Sequence, residues 1–146
     1  MVHALEQSHR LLKPAGLLVD IHPLPDPPLL AVQRGGKRLF SEACPSQGAE
    51  AYRLADQAID EAVQRRLYAR EQSAIIDFRT YAPSAAALDD HLTMISAFDQ
   101  EPADPAAERL WAELFARADK AAGDATSGVE VILLEKARMT SLLPLP

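Results

Sequence analysis

Asp20 and His22 stand two residues apart in Leu17-Leu18-Val19-Asp20-Ile21-His22. In a strand that spacing puts both side chains on one face. An imidazole beside a carboxylate can orient a substrate group or take a proton from it, so the pair is the first catalytic candidate. The same two residues also suit a polar strand end satisfied by loop backbone. His3, His9 and His91 fall at no metal-ligand spacing, and Cys44 is the only cysteine, so no zinc ligand set is present. A nucleophilic role for Cys44 would need a partner base, and none is recognisable near it.

Three other groups carry charge or glycine. Asp77, Arg79 and Tyr81 share a strand face. They either reach a bound acid or pair across a sheet with Glu130, Lys136 or Arg138, the commoner use of strand charges. Arg34, Lys37 and Arg38 surround Gly35-Gly36 and, lacking repeats or interleaved aromatics, read as a solvated turn rather than a nucleic-acid surface. A net charge of -6 also opposes phosphate backbones. A cofactor-binding glycine fingerprint needs three spaced glycines between a strand and a helix. Gly35-Gly36 lies between two strand-like runs, and Gly123 and Gly128 join a helix to a strand. No acidic residue closes a second strand to hold a ribose, so neither cofactor nor metal binding is expected of these residues alone.

The elements that position these groups follow from periodicity. Val2, Leu5, His9 and Leu12 mark one face of a helix that Pro14 and Gly16 stop. Leu17–His22 is a strand, and Pro23–Pro28 is a stiff extended connector. Leu29–Gln33 and Lys37–Ser41 flank Gly35-Gly36 as a hairpin, and Glu42–Gln47 is loop. Gly48–Glu71 reads as the longest helix, with Tyr52, Ala55 and Ile59 inward and Arg53, Asp56, Asp60 and Gln64 outward. Gln72–Tyr81 alternates as a strand with a wholly apolar face of Ala74, Ile76 and Phe78. Ser84 caps a helix burying Leu88, Leu92, Ile95 and Phe98. After the polar break Asp99–Asp104, Asp104-Pro105 opens a helix with the stripe Ala107, Leu110, Trp111, Leu114 and Ala118, ended by Gly123. Val129–Met139 is apolar on both faces, the pattern of a central strand. Thr140–Pro146 reads as a loose tail.

At 146 residues, 48% apolar and 25% charged, the chain fits one soluble domain, residues 1–146. No apolar run reaches the ~20 residues of a membrane helix. The N-terminus carries His3, Glu6 and Arg10, unlike a signal peptide, and the single cysteine suits a reducing compartment. A cytoplasmic location is the expectation, with neither membrane nor nucleic acid as partner.

The succession helix, Leu11-Leu12-Lys13-Pro14-Ala15-Gly16, apolar strand resembles the join between the last core helix and the fifth strand of class I S-adenosylmethionine-dependent methyltransferases of the type 11 kind. Ala15 stands where that family usually has glycine. Arg79–Leu92 also resembles a strand-to-helix passage of such enzymes. The resemblance implies a mixed α/β (α+β) fold with a partial Rossmann-like sheet of three core strands. Val129–Met139 would be the central antiparallel strand, flanked by Leu17–His22 and Gln72–Tyr81, with an appended hairpin and four or five helices. It further implies a C-terminal half without the cofactor-binding half, in which Asp20 and His22 face the substrate side. S-adenosylmethionine would then bind only if an N-terminal half completed the site.

Two functional readings follow. In one, the chain is a non-catalytic module that pairs with itself or another chain. In the other, it is the substrate-side half of a split or start-truncated small-molecule methyltransferase. The absent fourth strand would leave Leu17–His22 as an apolar edge, which favours a homodimer unless Pro23–Pro28 or the hairpin covers it.

Overall fold

The computed structural model describes residues 2–45, 49–96, 104–123 and 128–146. The fold is mixed α/β, a five-stranded antiparallel sheet with four helices among the described residues. The elements are α1 (Val2–Leu11), β1 (Leu18–Pro23), β2 (Leu29–Arg34), β3 (Lys37–Ala43), α2 (Ala49–Gln64), β4 (Tyr68–Ala82), α3 (Ala85–Ser96), α4 (Pro105–Ala122) and β5 (Val129–Pro144). None of the described helices is long and apolar enough to cross a membrane.

As the doubly apolar pattern predicts, β5 is central: it pairs with β1, β2 and β4. Its 16 residues are long enough to hold β1 along Ala137–Leu142 and β2 along Val129–Leu134. The hairpin is therefore part of the sheet rather than an appendage. Leu30 and Val32 of β2 are fully buried there. Its turn is as expected: Arg34 faces Lys37, and Gly35 and Gly36 take φ of 56° and 79°, as a two-residue hairpin loop requires.

The chain divides into two compact units, each with its own core. The first comprises Met1–Asp26, Gly48–Asp77 and Lys136–Pro146. Its core is Leu5, Ala58, Ile59, Ala62, Tyr68 and Leu142. The second comprises Pro27–Gln47 and Phe78–Glu135 and packs Leu88, Leu114, Phe115 and Ala118 on Leu30, Val32, Val131 and Leu133. Trp111 is half-buried beside Phe115, with ring centroids 5.6 Å apart.

Several boundaries and faces differ from the sequence reading. Helix α2 ends at Gln64, not Glu71, because Arg66 adopts a left-handed φ of 58°. Arg66 N–H donates to Val63 O and Leu67 N–H to Ala62 O, both at 3.0 Å. That pair of bonds is a Schellman cap, with arginine where glycine is usual. Strand β4 starts two residues later. Its central stretch is open: of the expected apolar face, Ala74 and Phe78 are exposed and Ile76 is only partly buried, so it is not a core face. On α4 Leu114 and Ala118 of the expected stripe are buried and Trp111 packs against the same core, while Leu110 is exposed and Phe115, outside the stripe, is buried in its stead. Ile95 of α3 is exposed, and Phe98 lies outside the described residues. The tail is not loose through Pro144. Thr140 and Leu142 are buried in β5, Leu145 N–H donates to Leu67 O (2.9 Å), and His9 Nε2 donates to Leu145 O (2.8 Å).

The arginine cap yields a direct expectation. A side chain in the left-handed region costs about 1–2 kcal/mol, partly offset by the greater unfolded-state freedom of glycine. Arg66 is exposed. Arg66→Gly should raise stability by roughly 0.5–1 kcal/mol, read as a higher urea midpoint at unchanged slope. A lower midpoint would refute the cap.

Candidate functional site

The structure brings Asp20 and His22 together and adds two residues that spacing does not predict. Leu18, Asp20 and His22 alternate on the covered face of β1, and α2 packs against that strand. His22 Nδ1 lies 2.5 Å from Asp20 Oδ2, and its Nε2 lies 3.1 Å from Asp56 Oδ1 on α2. The β1–β5 register sets His22 opposite Arg138, whose Nη1 donates to the same Asp56 oxygen at 2.9 Å. His22 is buried, and Asp20, Asp56 and Arg138 are progressively closer to solvent.

This is a charge cluster of two carboxylates, an imidazole and a guanidinium. Each ring nitrogen of His22 meets a carboxylate oxygen, Asp20 Oδ2 on one side and Asp56 Oδ1 on the other, so neither nitrogen faces an open position for a substrate. As arranged, His22 ties β1 to α2. A general base would need one nitrogen facing a substrate. Among the described residues no group of three or more His, Cys, Asp or Glu side chains is disposed to hold a metal ion.

The remaining candidates are dispersed. Asp77, Arg79 and Tyr81 are exposed on β4. Of their proposed partners, Glu130 accepts from Gln33 Nε2 at 2.7 Å and Arg138 is committed to Asp56. Arg34 of the basic hairpin donates to the Ala122 carbonyl at 2.6 Å, capping the end of α4. Burial pushes the Cys44 thiol up to about 12, so it stays protonated at neutral pH and is not a ready nucleophile. Glu135 on β5 is likewise raised by partial burial. His9 stands edge-on to Tyr68 at 5.3 Å, an aromatic contact that its half-apolar place on α1 anticipates.

Comparison with protein-family models, with curated proteins and with solved structures finds no match.

Proposed function

We propose that the chain is a methyltransferase-like C-terminal module that binds no S-adenosylmethionine by itself and works by assembling with a second chain, foremost a second copy of itself. One observation carries this reading. Strand β1, which follows the Leu-Lys-Pro-Ala-Gly join, pairs along one edge only, with β5. Neither the hairpin nor any other described strand pairs with its second edge. A strand edge with free backbone groups and the apolar side chains Val19 and Ile21 is a template for association. The partial Rossmann-like sheet belongs to this proposal and rests on the helix–join–strand resemblance together with the central place of β5.

Calorimetric titration of S-adenosylmethionine into the purified chain should show no saturable heat. Micromolar binding at one site per chain would overturn the non-binding part of the proposal. Sedimentation should give a dimer mass, and a monomer mass throughout would defeat self-assembly.

A second reading, the substrate-side half of a split or start-truncated methyltransferase, is favoured by Asp20 and His22 at the C-terminal end of β1. In the family that the chain resembles, sites lie at the carboxyl ends of parallel strands; the sheet here is antiparallel, so this reading rests on the resemblance. An in-frame strand–glycine loop–helix segment encoded upstream of the Met1 codon would favour it.

A further inference from the structure

The His22 ring sits between two carboxylates, with Nδ1 2.5 Å from Asp20 Oδ2 and Nε2 3.1 Å from Asp56 Oδ1. Its side chain is 10% exposed, so water does little to loosen either contact. A neutral imidazole has one N–H donor and one bare lone pair, whereas the protonated ring donates from both nitrogens. Only the protonated ring turns both contacts into hydrogen bonds. In the neutral ring, one nitrogen lone pair faces a carboxylate oxygen with no proton between them.

The geometry also says which contact fails. Asp20 is the closer carboxylate and shares β1 with His22, so that bond stays within one strand. Asp56 stands on α2 and accepts from Arg138 Nη1 at 2.9 Å, so it keeps a partner without the ring. The neutral ring therefore keeps Nδ1–H on Asp20. The bond that is lost is the one from β1 to α2.

We propose that His22 is a proton-operated latch between β1 and α2, closed while the ring is protonated and open once it gives up a proton. Histidine is the side chain whose charge ordinarily changes between roughly pH 5 and 8, and rising pH opens the latch. Other charged groups surround the ring. On β5, Arg138 stands opposite His22 and Lys136 follows on the same face. On α2, Tyr52 and Asp60 lie one turn to either side of Asp56, and Arg70 holds Asp60. Side chains of these four types ordinarily titrate outside that window, which leaves the histidine as the moving part. The consequence for association rests on the assembly reading above. Strand β1 supplies the open edge, and a strand released from α2 frays instead of presenting that edge in a fixed form.

The test follows the ring and the strand together. Long-range proton–nitrogen spectra of the parent, titrated from about pH 5.5 to about pH 8, should show both His22 nitrogens protonated at first and only Nδ1 at the end. Over the same range, amide exchange in β1, corrected for its intrinsic pH dependence, should quicken by about tenfold or more as one charge-assisted hydrogen bond is lost. In Asp56→Asn the side-chain amide can donate to the neutral Nε2, so β1 exchange should change by less than about twofold. Unchanged β1 protection while the parent's ring titrates would overturn the latch, and that result needs no variant. Equal quickening in parent and Asp56→Asn would overturn it too, as would a neutral ring that keeps its proton on Nε2. Sedimentation of the parent at both pH values separates the two readings. A monomer at each removes the assembly reading, while the ring and exchange data still decide the latch.

Discussion

Tyr68→Ala should lower the stability of the chain by about 4 kcal/mol, the range for truncating a large buried aromatic. Tyr68 opens β4 with its side chain fully buried among Leu5, Ala58, Ile59, Ala62 and Leu142. It thus serves α1, α2 and the end of β5 at once. Its hydroxyl donates to Leu5 O at 3.0 Å within α1, and its ring meets His9 edge-on. The contact most specific to the phenol is therefore a single hydrogen bond, and Tyr68→Phe should cost only about 1 kcal/mol. The comparison separates volume from polarity. Urea unfolding by circular dichroism reads it better than fluorescence, because the single tryptophan, Trp111, lies in the second unit. Equal costs for alanine and phenylalanine would mean that the ring is not in the core.

The same residue gives a pH dependence with a definite sign. Burial raises the Tyr68 phenol above its ordinary value of 10.0. The folded state thus favours the neutral phenol. Its contribution is complete below the unfolded value and is lost as pH rises through the folded one. Stability should fall more steeply above pH 10 in the parent than in Tyr68→Phe. Parallel profiles would show the phenol to be accessible to solvent.

What could be read in advance was local. Gly35-Gly36 between two strand-like runs is a hairpin because both residues must take positive φ, and they do. Val131–Leu134 reads as a central strand and is one: β5 has strands on its edges, Val131 and Leu133 pack with Leu88, Leu114, Phe115 and Ala118, and Ile132 is buried. The end of α2 is hidden in the sequence because its cap is an arginine, so the helical period of Tyr52, Ala55 and Ile59 runs on into Tyr68. Joining of the hairpin to β5 was hidden for another reason. Pairing of Leu29 with Leu134 spans more than a hundred residues, and no local spacing encodes it.

The site divides along the same line. Asp20 and His22 were visible because two residues of separation is one strand repeat. Helical spacing places Asp56 on the solvent side of α2 with Arg53, Asp60 and Gln64, since a carboxylate on a helix is usually outside. Asp60 and Arg53 keep that role: Arg70 reaches Asp60 and Arg53 reaches Glu50. Asp56 differs because a buried histidine on β1 faces it. Arg138 becomes its second partner only once the β1–β5 register is known. Pairs 34 and 82 residues apart have no sequence signature.

Asp56→Ala should cost about 2 kcal/mol, and the reason tests what the cluster is for. The substitution leaves two donors without an acceptor. Arg138 is more than a third exposed, so water replaces Asp56 there and the loss is small. His22 is buried, so its Nε2 loses a partner that solvent does not readily supply, at roughly 1–3 kcal/mol. Asp56→Asn keeps one acceptor and should cost less. A double-mutant cycle with Arg138→Met should assign less than 1 kcal/mol to the Asp56–Arg138 pair. Replacing the three inner members together, as Asp20→Val, His22→Val and Asp56→Leu, is the sharper measurement. Buried ionic groups exchanged for apolar ones of suitable volume often leave stability unchanged or raise it. If the triple variant melts at or above the parent temperature, the cluster does not exist for stability and its place at the end of β1 calls for a functional explanation. If it melts far below, the four residues are the structural tie between β1 and α2, and the catalytic reading of Asp20 and His22 loses its support.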